Sequence, residues 1–133
     1  MATTYSLELP RTLEAPAQAR DALTQLQPSL PDHVIPDMTL LISELVTNSV
    51  KYGGEGPVRL EITNAPDRIR TEIVDQGSGF APEKRDGDLS RVGGWGLHLV
   101  QELTDDWGTF EGSTHVWFEI DRSRSRPHED LAA

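Results

Sequence analysis

Apolar and polar positions alternate along Tyr5-Ser-Leu-Glu-Leu9, the period of a half-buried strand, and Pro10 ends the run. Ala15, Ala19, Ala22, Leu23 and Leu26 then recur at helical spacing, with Pro16 acceptable in a first turn. Pro28, Pro31 and Pro36 divide the next stretch into a loop or short helical pieces. The clearest pattern predicts a helix from about Pro36 to Tyr52. Met38, Leu41, Ile42, Leu45, Val46 and Ser49 fall on one stripe, and Gly53-Gly54 stops it. On that helix Asp37, Glu44, Asn48 and Lys51 form a polar stripe roughly 100° from the apolar one. Val58, Leu60 and Ile62 alternate, Asn64-Ala-Pro-Asp67 makes a turn, and Ile69, Thr71 and Ile73 alternate again, which predicts a hairpin. Glycines, Pro82 and charges between Gly77 and Gly94 predict a long loop, and loops of that length in compact domains usually carry function. A helix is expected from about Gly94 to Asp105 and a last strand through Val116, Phe118 and Ile120. Residues 122–133 have no periodicity and are expected to form a disordered tail behind one domain spanning residues 1–121.

Composition narrows the classes of function. The 133 residues hold 12 Lys and Arg against 22 Asp and Glu, a net charge of −10. Nucleic acid and anionic membranes need a basic footprint, so neither is expected as the partner. With no cysteine there is no disulfide framework, thiolate metal site or cysteine nucleophile. Apolar runs are too short to span a bilayer, and the start Met-Ala-Thr-Thr-Tyr lacks the regions of a signal peptide. A cytoplasmic domain is the expectation.

Three short motifs carry candidate chemistry. In Glu44-Leu-Val-Thr-Asn48-Ser-Val-Lys51, Glu44 and Asn48 lie one helical turn apart on one face. A carboxylate beside an amide oxygen suits one hard cation that keeps water and phosphate in its shell; the plain alternative is a solvated helix face. Asp75-Gln-Gly77-Ser-Gly79-Phe80 stands at the end of the second hairpin strand, Ile69–Asp75. There an acceptor stands at a sheet edge beside two glycines that permit close backbone approach, or the residues form an ordinary turn. Gly93-Gly94-Trp95-Gly96-Leu97 leads into a helix whose N–H groups and dipole would face an anion; it also reads as a flexible start to a helix. No Rossmann or Walker signature accompanies it.

In order and spacing, these three motifs resemble the N, G1 and G2 boxes of the GHKL, or Bergerat-fold, ATP-binding domains. The resemblance runs from about Pro36 to Val100. Its small size and the run Ser43-Glu-Leu-Val-Thr-Asn-Ser-Val-Lys51 are similar to the anti-sigma-factor serine kinases of bacterial partner-switching systems. What it implies is an α/β two-layer sandwich, with a mixed, mostly antiparallel sheet, helices on one face and nucleotide between the layers. The implied function is a Mg-ATP-dependent protein serine/threonine kinase acting as an anti-sigma factor on a STAS-type antagonist. Its partners would be that antagonist and a sigma factor, and a homodimer is in keeping with the family. Asn48 would bind Mg²⁺ directly, and Glu44, reaching the metal through water, would be the general base. Lys51 would join the nucleotide site. Asp75 would accept the adenine amino group, Gly77, Gly79 and Phe80 would lie under the base and ribose, and Gly94, Gly96 and Leu97 would wrap the phosphates. The segment Phe80–Gly93 would be a lid ordered by nucleotide. Trp95 departs from the pattern, standing where a smaller or basic residue is expected.

The same residues allow two rival readings. One is a non-catalytic ATP-binding module that gates a protein partner. The other is a stand-alone histidine-kinase-like ATPase domain; a complete one would need a helical hairpin with a phosphoacceptor His, and His33, set between Pro31 and Pro36, does not provide it. His98 and His115 lack metal-ligand spacing.

Overall fold

The fold is taken from a computed structural model, which describes residues 2–52, 56–75, 94–109 and 115–123, position 75 and positions 94–98 by their backbone. In chain order it contains β1 (Thr3–Leu9), α1 (Ala15–Leu26), 3₁₀ turns at Gln27–Ser29 and Asp32–Val34, and α2 (Ile35–Tyr52). Then come β2 (Val58–Asn64), β3 (Arg68–Asp75), α3 (Gly94–Leu103), β4 (Asp106–Thr109) and β5 (Val116–Asp121). The five strands form one sheet in the order β1-β2-β3-β5-β4. Every described pairing is antiparallel, in keeping with the expected α/β sandwich built on a mostly antiparallel sheet.

Strand alternation sorts the sheet into two faces. Leu9, Val58, Leu60, Ile62, Ile69, Ile73, Val116, Phe118 and Ile120 are buried against the helices. From α2 the stripe Met38, Leu41, Ile42, Leu45, Val46 and Ser49 meets them, all essentially inaccessible to water. The helical period of the sequence therefore marks the face that packs, and hydrophobic burial holds the two layers together. Thr71 lies wholly buried among these apolar residues, and its hydroxyl has no hydrogen-bond partner among the described residues.

The opposite face is a charged lattice. Arg68 and Arg70 both pair with Glu119 across the β3–β5 ladder, and His115 Nε2 lies 2.6 Å from Glu72. The Arg70 guanidinium sits 4.4 Å above the Trp117 ring, a cation–π contact. Opposite charges across neighbouring strands each contribute a few tenths of a kcal/mol to about 1 kcal/mol.

The periodicity did not reveal β4, and the helix before it ends earlier than expected. At the end of α3, Thr104 Oγ1 donates to the Val100 carbonyl at 2.6 Å, while the Asp105 N–H donates to the Glu119 carbonyl at 2.9 Å. The chain has already joined the sheet there. Asp-Trp-Gly-Thr is too short and too mixed to show a strand period; its pairing with β5 defines it. Gly108 lies opposite Trp117, and a Cβ there would stand 2.7 Å from the indole nitrogen. Gly108→Ala should therefore destabilise the fold by about 1–3 kcal/mol, read as a lower denaturation midpoint at unchanged slope.

The two ends of the sandwich differ. At one end Leu9 pairs with Val58, and Val58 with Asp75. At the other, Asn64 Nδ2 donates to the Ser29 carbonyl at 3.0 Å, and the Arg122 side chain and N–H bond Asn64 and the Asp67 carbonyl. The C-terminal turn of α2 is tied by Arg11 to Gly56, two residues before Val58. An 18-residue helix is about 27 Å long, so α2 runs the length of the sheet and finishes where β3 finishes.

Candidate functional site

The direction of α2 brings two of the three motifs to one end of the molecule. Glu44, Asn48 and Lys51 stand on its last turns, and Asp75 is the final residue of β3 at that same end. Asn48 is 9% exposed, Glu44 half-buried and Lys51 exposed, so the polar stripe rises from the helix–sheet boundary into solvent. Asp37, on the same stripe but at the far end of α2, is buried as well. The fold thus splits the stripe, separating Asp37 from the other three.

Among the described residues, neither the Asn48 amide nor the Glu44 carboxylate makes a hydrogen bond or ion pair with another side chain or with the backbone. A buried amide normally finds partners within the protein. Here the amide stands one helical turn from a half-buried carboxylate. That set suits a hydrated, phosphate-bound Mg²⁺, which takes oxygen ligands and keeps several waters.

Position 75 pairs with Val58, and by twofold alternation it belongs to the register of Ile69, Thr71 and Ile73, the helix-covered face. Gly77, Gly79, Phe80 and the expected lid Phe80–Gly93 lie outside the described residues, as does the expected tail from residue 124 onward. Gly94, Gly96 and Leu97 form the first turn of α3, where unpaired backbone N–H groups and the positive dipole end collect. A cavity of about 150 Å³ lined by Thr3, Tyr5, Leu26, Ser29, Leu30, Ile62 and Asn64 opens at the opposite end. It is smaller than the roughly 300 Å³ at which ligand pockets begin.

Comparison with known proteins bears on this arrangement. Residues 9–120 match the histidine kinase-like ATPase domain family. The chain belongs to that family. The match runs from the last residue of β1 to the penultimate residue of β5 and contains all three motifs. Among curated proteins, the chain is 33% identical over 87 residues to a serine-protein kinase RsbW of Listeria monocytogenes, covering 54% of this chain and 55% of that protein. It is 32% identical over 95 residues to a serine-protein kinase RsbW of Staphylococcus epidermidis, covering 59% of this chain and 60% of that protein. The alignments therefore span little more than half of each relative. Among solved structures, one containing the RsbU and RsbW domains of Rv1364c from Mycobacterium tuberculosis superposes with a TM-score of 0.65. At 21% identity it covers 93% of this chain and 34% of that one, a likeness of fold. A histidine kinase-like ATPase domain uses ATP; here the first motif lies on α2, the second begins at the last residue of β3, and Gly94 to Leu97 of the third open α3.

One contributor to this end of the fold had no signal in the sequence. Arg11, two residues beyond β1, reaches three backbone carbonyls around the C-terminus of α2. An arginine in a connecting segment has no periodicity to mark it, and its partners lie 38 to 45 residues away.

Proposed function

We propose that this chain is a Mg-ATP-dependent protein serine/threonine kinase of the anti-sigma type, which phosphorylates a STAS-domain antagonist and also binds a sigma factor in the cytoplasm. The single observation that carries this reading is the pairing of Glu44 and Asn48. A half-buried carboxylate and a buried amide stand one turn apart, without a side-chain or backbone partner among the described residues, at the end of the sheet where β3 delivers Asp75. The names of the RsbW relatives supply the class of reaction.

In this reading Asp75 accepts a hydrogen bond from the adenine amino group, and Gly77, Gly79 and Phe80 support the base and ribose. The backbone N–H groups around Gly94, Gly96 and Leu97 hold phosphate oxygens, with Lys51 adding positive charge from the last turn of α2. Asn48 offers its amide oxygen to Mg²⁺, which when bound neutralises charge on the phosphates. Glu44 takes the proton from the attacking serine hydroxyl. The new bond joins that oxygen to the γ-phosphorus while the bond to the β–γ bridging oxygen breaks, leaving ADP. Phosphoryl transfer needs mostly positioning and charge stabilisation, which is the chemistry these groups provide. A homodimer belongs to the same reading.

The test is direct phosphotransfer. Purified protein, labelled ATP and Mg²⁺ are incubated with a candidate STAS-domain antagonist, and the product is mapped by mass spectrometry. One labelled serine or threonine is expected. ATP binding without transfer to any candidate would instead favour a nucleotide-gated binding module.

A further inference from the structure

We propose that Arg11 is a positioning residue for the nucleotide site, holding the last turn of α2 so that Asn48 and Lys51 keep their place relative to the end of β3. Its Nε donates to the Gly56 carbonyl at 2.8 Å, and its Nη1 donates to the carbonyls of Ser49 and, at 3.3 Å, Val50. The Ser49 carbonyl comes directly after Asn48 in the chain, and the Val50 carbonyl precedes Lys51. Both belong to the final turn of α2, whose last four carbonyls have no partner within the helix. A guanidinium there satisfies two of them, those of Ser49 and Val50, and sets a positive charge against the negative end of the helix dipole. Gly56 lies in the later part of the α2–β2 connection, two residues before β2, and adopts φ 91°, a left-handed backbone that glycine takes without a Cβ penalty. One planar group therefore fastens the end of α2 to the later part of that connection, next to the Leu9–Val58–Asp75 end of the ladder. A lysine could supply the charge but not the fork.

This inference rests on reading Asn48 as a Mg²⁺ ligand, and the experiment separates the two. Full-length Arg11→Met and Arg11→Lys are made in the wild-type and Asn48→Ala backgrounds. For each, ATP affinity is measured in Mg²⁺ and in EDTA, and Tm is recorded. The readout is the ratio of the two affinities, which a loss of stability alone does not change. In the wild-type background Arg11→Met should lower Tm and cut that ratio roughly tenfold, a coupling of ordinary size for residues acting through one element. Arg11→Lys should keep Tm near wild type yet still reduce the ratio, and it carries the test should the Met variant not fold. With Asn48→Ala already present, neither change should reduce the ratio further. An unchanged ratio in Arg11→Lys, or an equal fall in both backgrounds, overturns the positioning role. If Asn48→Ala alone leaves the ratio at its wild-type value, the ligand reading of Asn48 fails and the role of Arg11 falls with it. That outcome is read from the single variant and is distinct from the others.

Discussion

Asp75→Asn should weaken ATP binding more than any other single conservative change in this chain. Position 75 closes β3, its ladder partner Val58 is wholly buried, and the register puts it on the helix-covered side of the sheet. In that setting a carboxylate accepting the adenine amino group makes a charge-assisted hydrogen bond worth roughly 1.5–3 kcal/mol. Its loss corresponds to about a 10- to 150-fold rise in Kd. Asparagine keeps the shape but can turn an NH₂ toward the adenine amine, which would leave two donors facing each other. The same chemistry bears on nucleotide choice, because guanine presents a carbonyl where adenine presents an amine, and carbonyl against carboxylate is repulsive. Calorimetric titration of wild type with ATP and GTP, and of the variant with ATP, checks both statements. Equal ATP and GTP affinities in the wild type would end the adenine-acceptor role of Asp75.

Asn48→Ala and Glu44→Gln should fail in different ways despite standing one turn apart. Alanine at 48 removes the amide oxygen, so ATP affinity should fall in Mg²⁺ and change little in EDTA. Helix propensity does not oppose the change, since alanine is the best helix former. Glutamine at 44 keeps shape and polarity but cannot take a proton. Nucleotide binding should survive while phosphotransfer drops by roughly 10²–10⁴-fold. Single-turnover transfer assays beside binding in the two buffers resolve the pair. Equal loss of binding by both variants in EDTA would mean that the helix itself had been disturbed, and the division of labour would be wrong.

The periodic elements were legible in the sequence because their signal is local. The stripe from Met38 to Ser49 repeats every three or four residues, so it defined α2 and the face that packs, and all six of its members are buried. The alternations in β2, β3 and β5 likewise named the residues turned toward the helices. Glu44 and Asn48 were legible as neighbours for the same reason, since i and i+4 meet in any α-helix.

What required tertiary structure depends on contacts between distant parts of the chain. Asp-Trp-Gly-Thr becomes β4 only by pairing with β5, and Gly108 is needed there only because Trp117 lies across from it. Which end of the sheet receives Glu44, Asn48 and Lys51 depends on the direction of α2. Arg11 ties that end through carbonyls 38, 39 and 45 residues along the chain. Backbone carbonyls are the same in every residue, so nothing in the sequence marks which of them an arginine will find. Hydrophobic period alone thus determined the layers and their facing sides. The placing of Glu44, Asn48 and Lys51 at the end of the sheet where β3 finishes was decided by packing and by hydrogen bonds between parts of the chain that meet only when it folds.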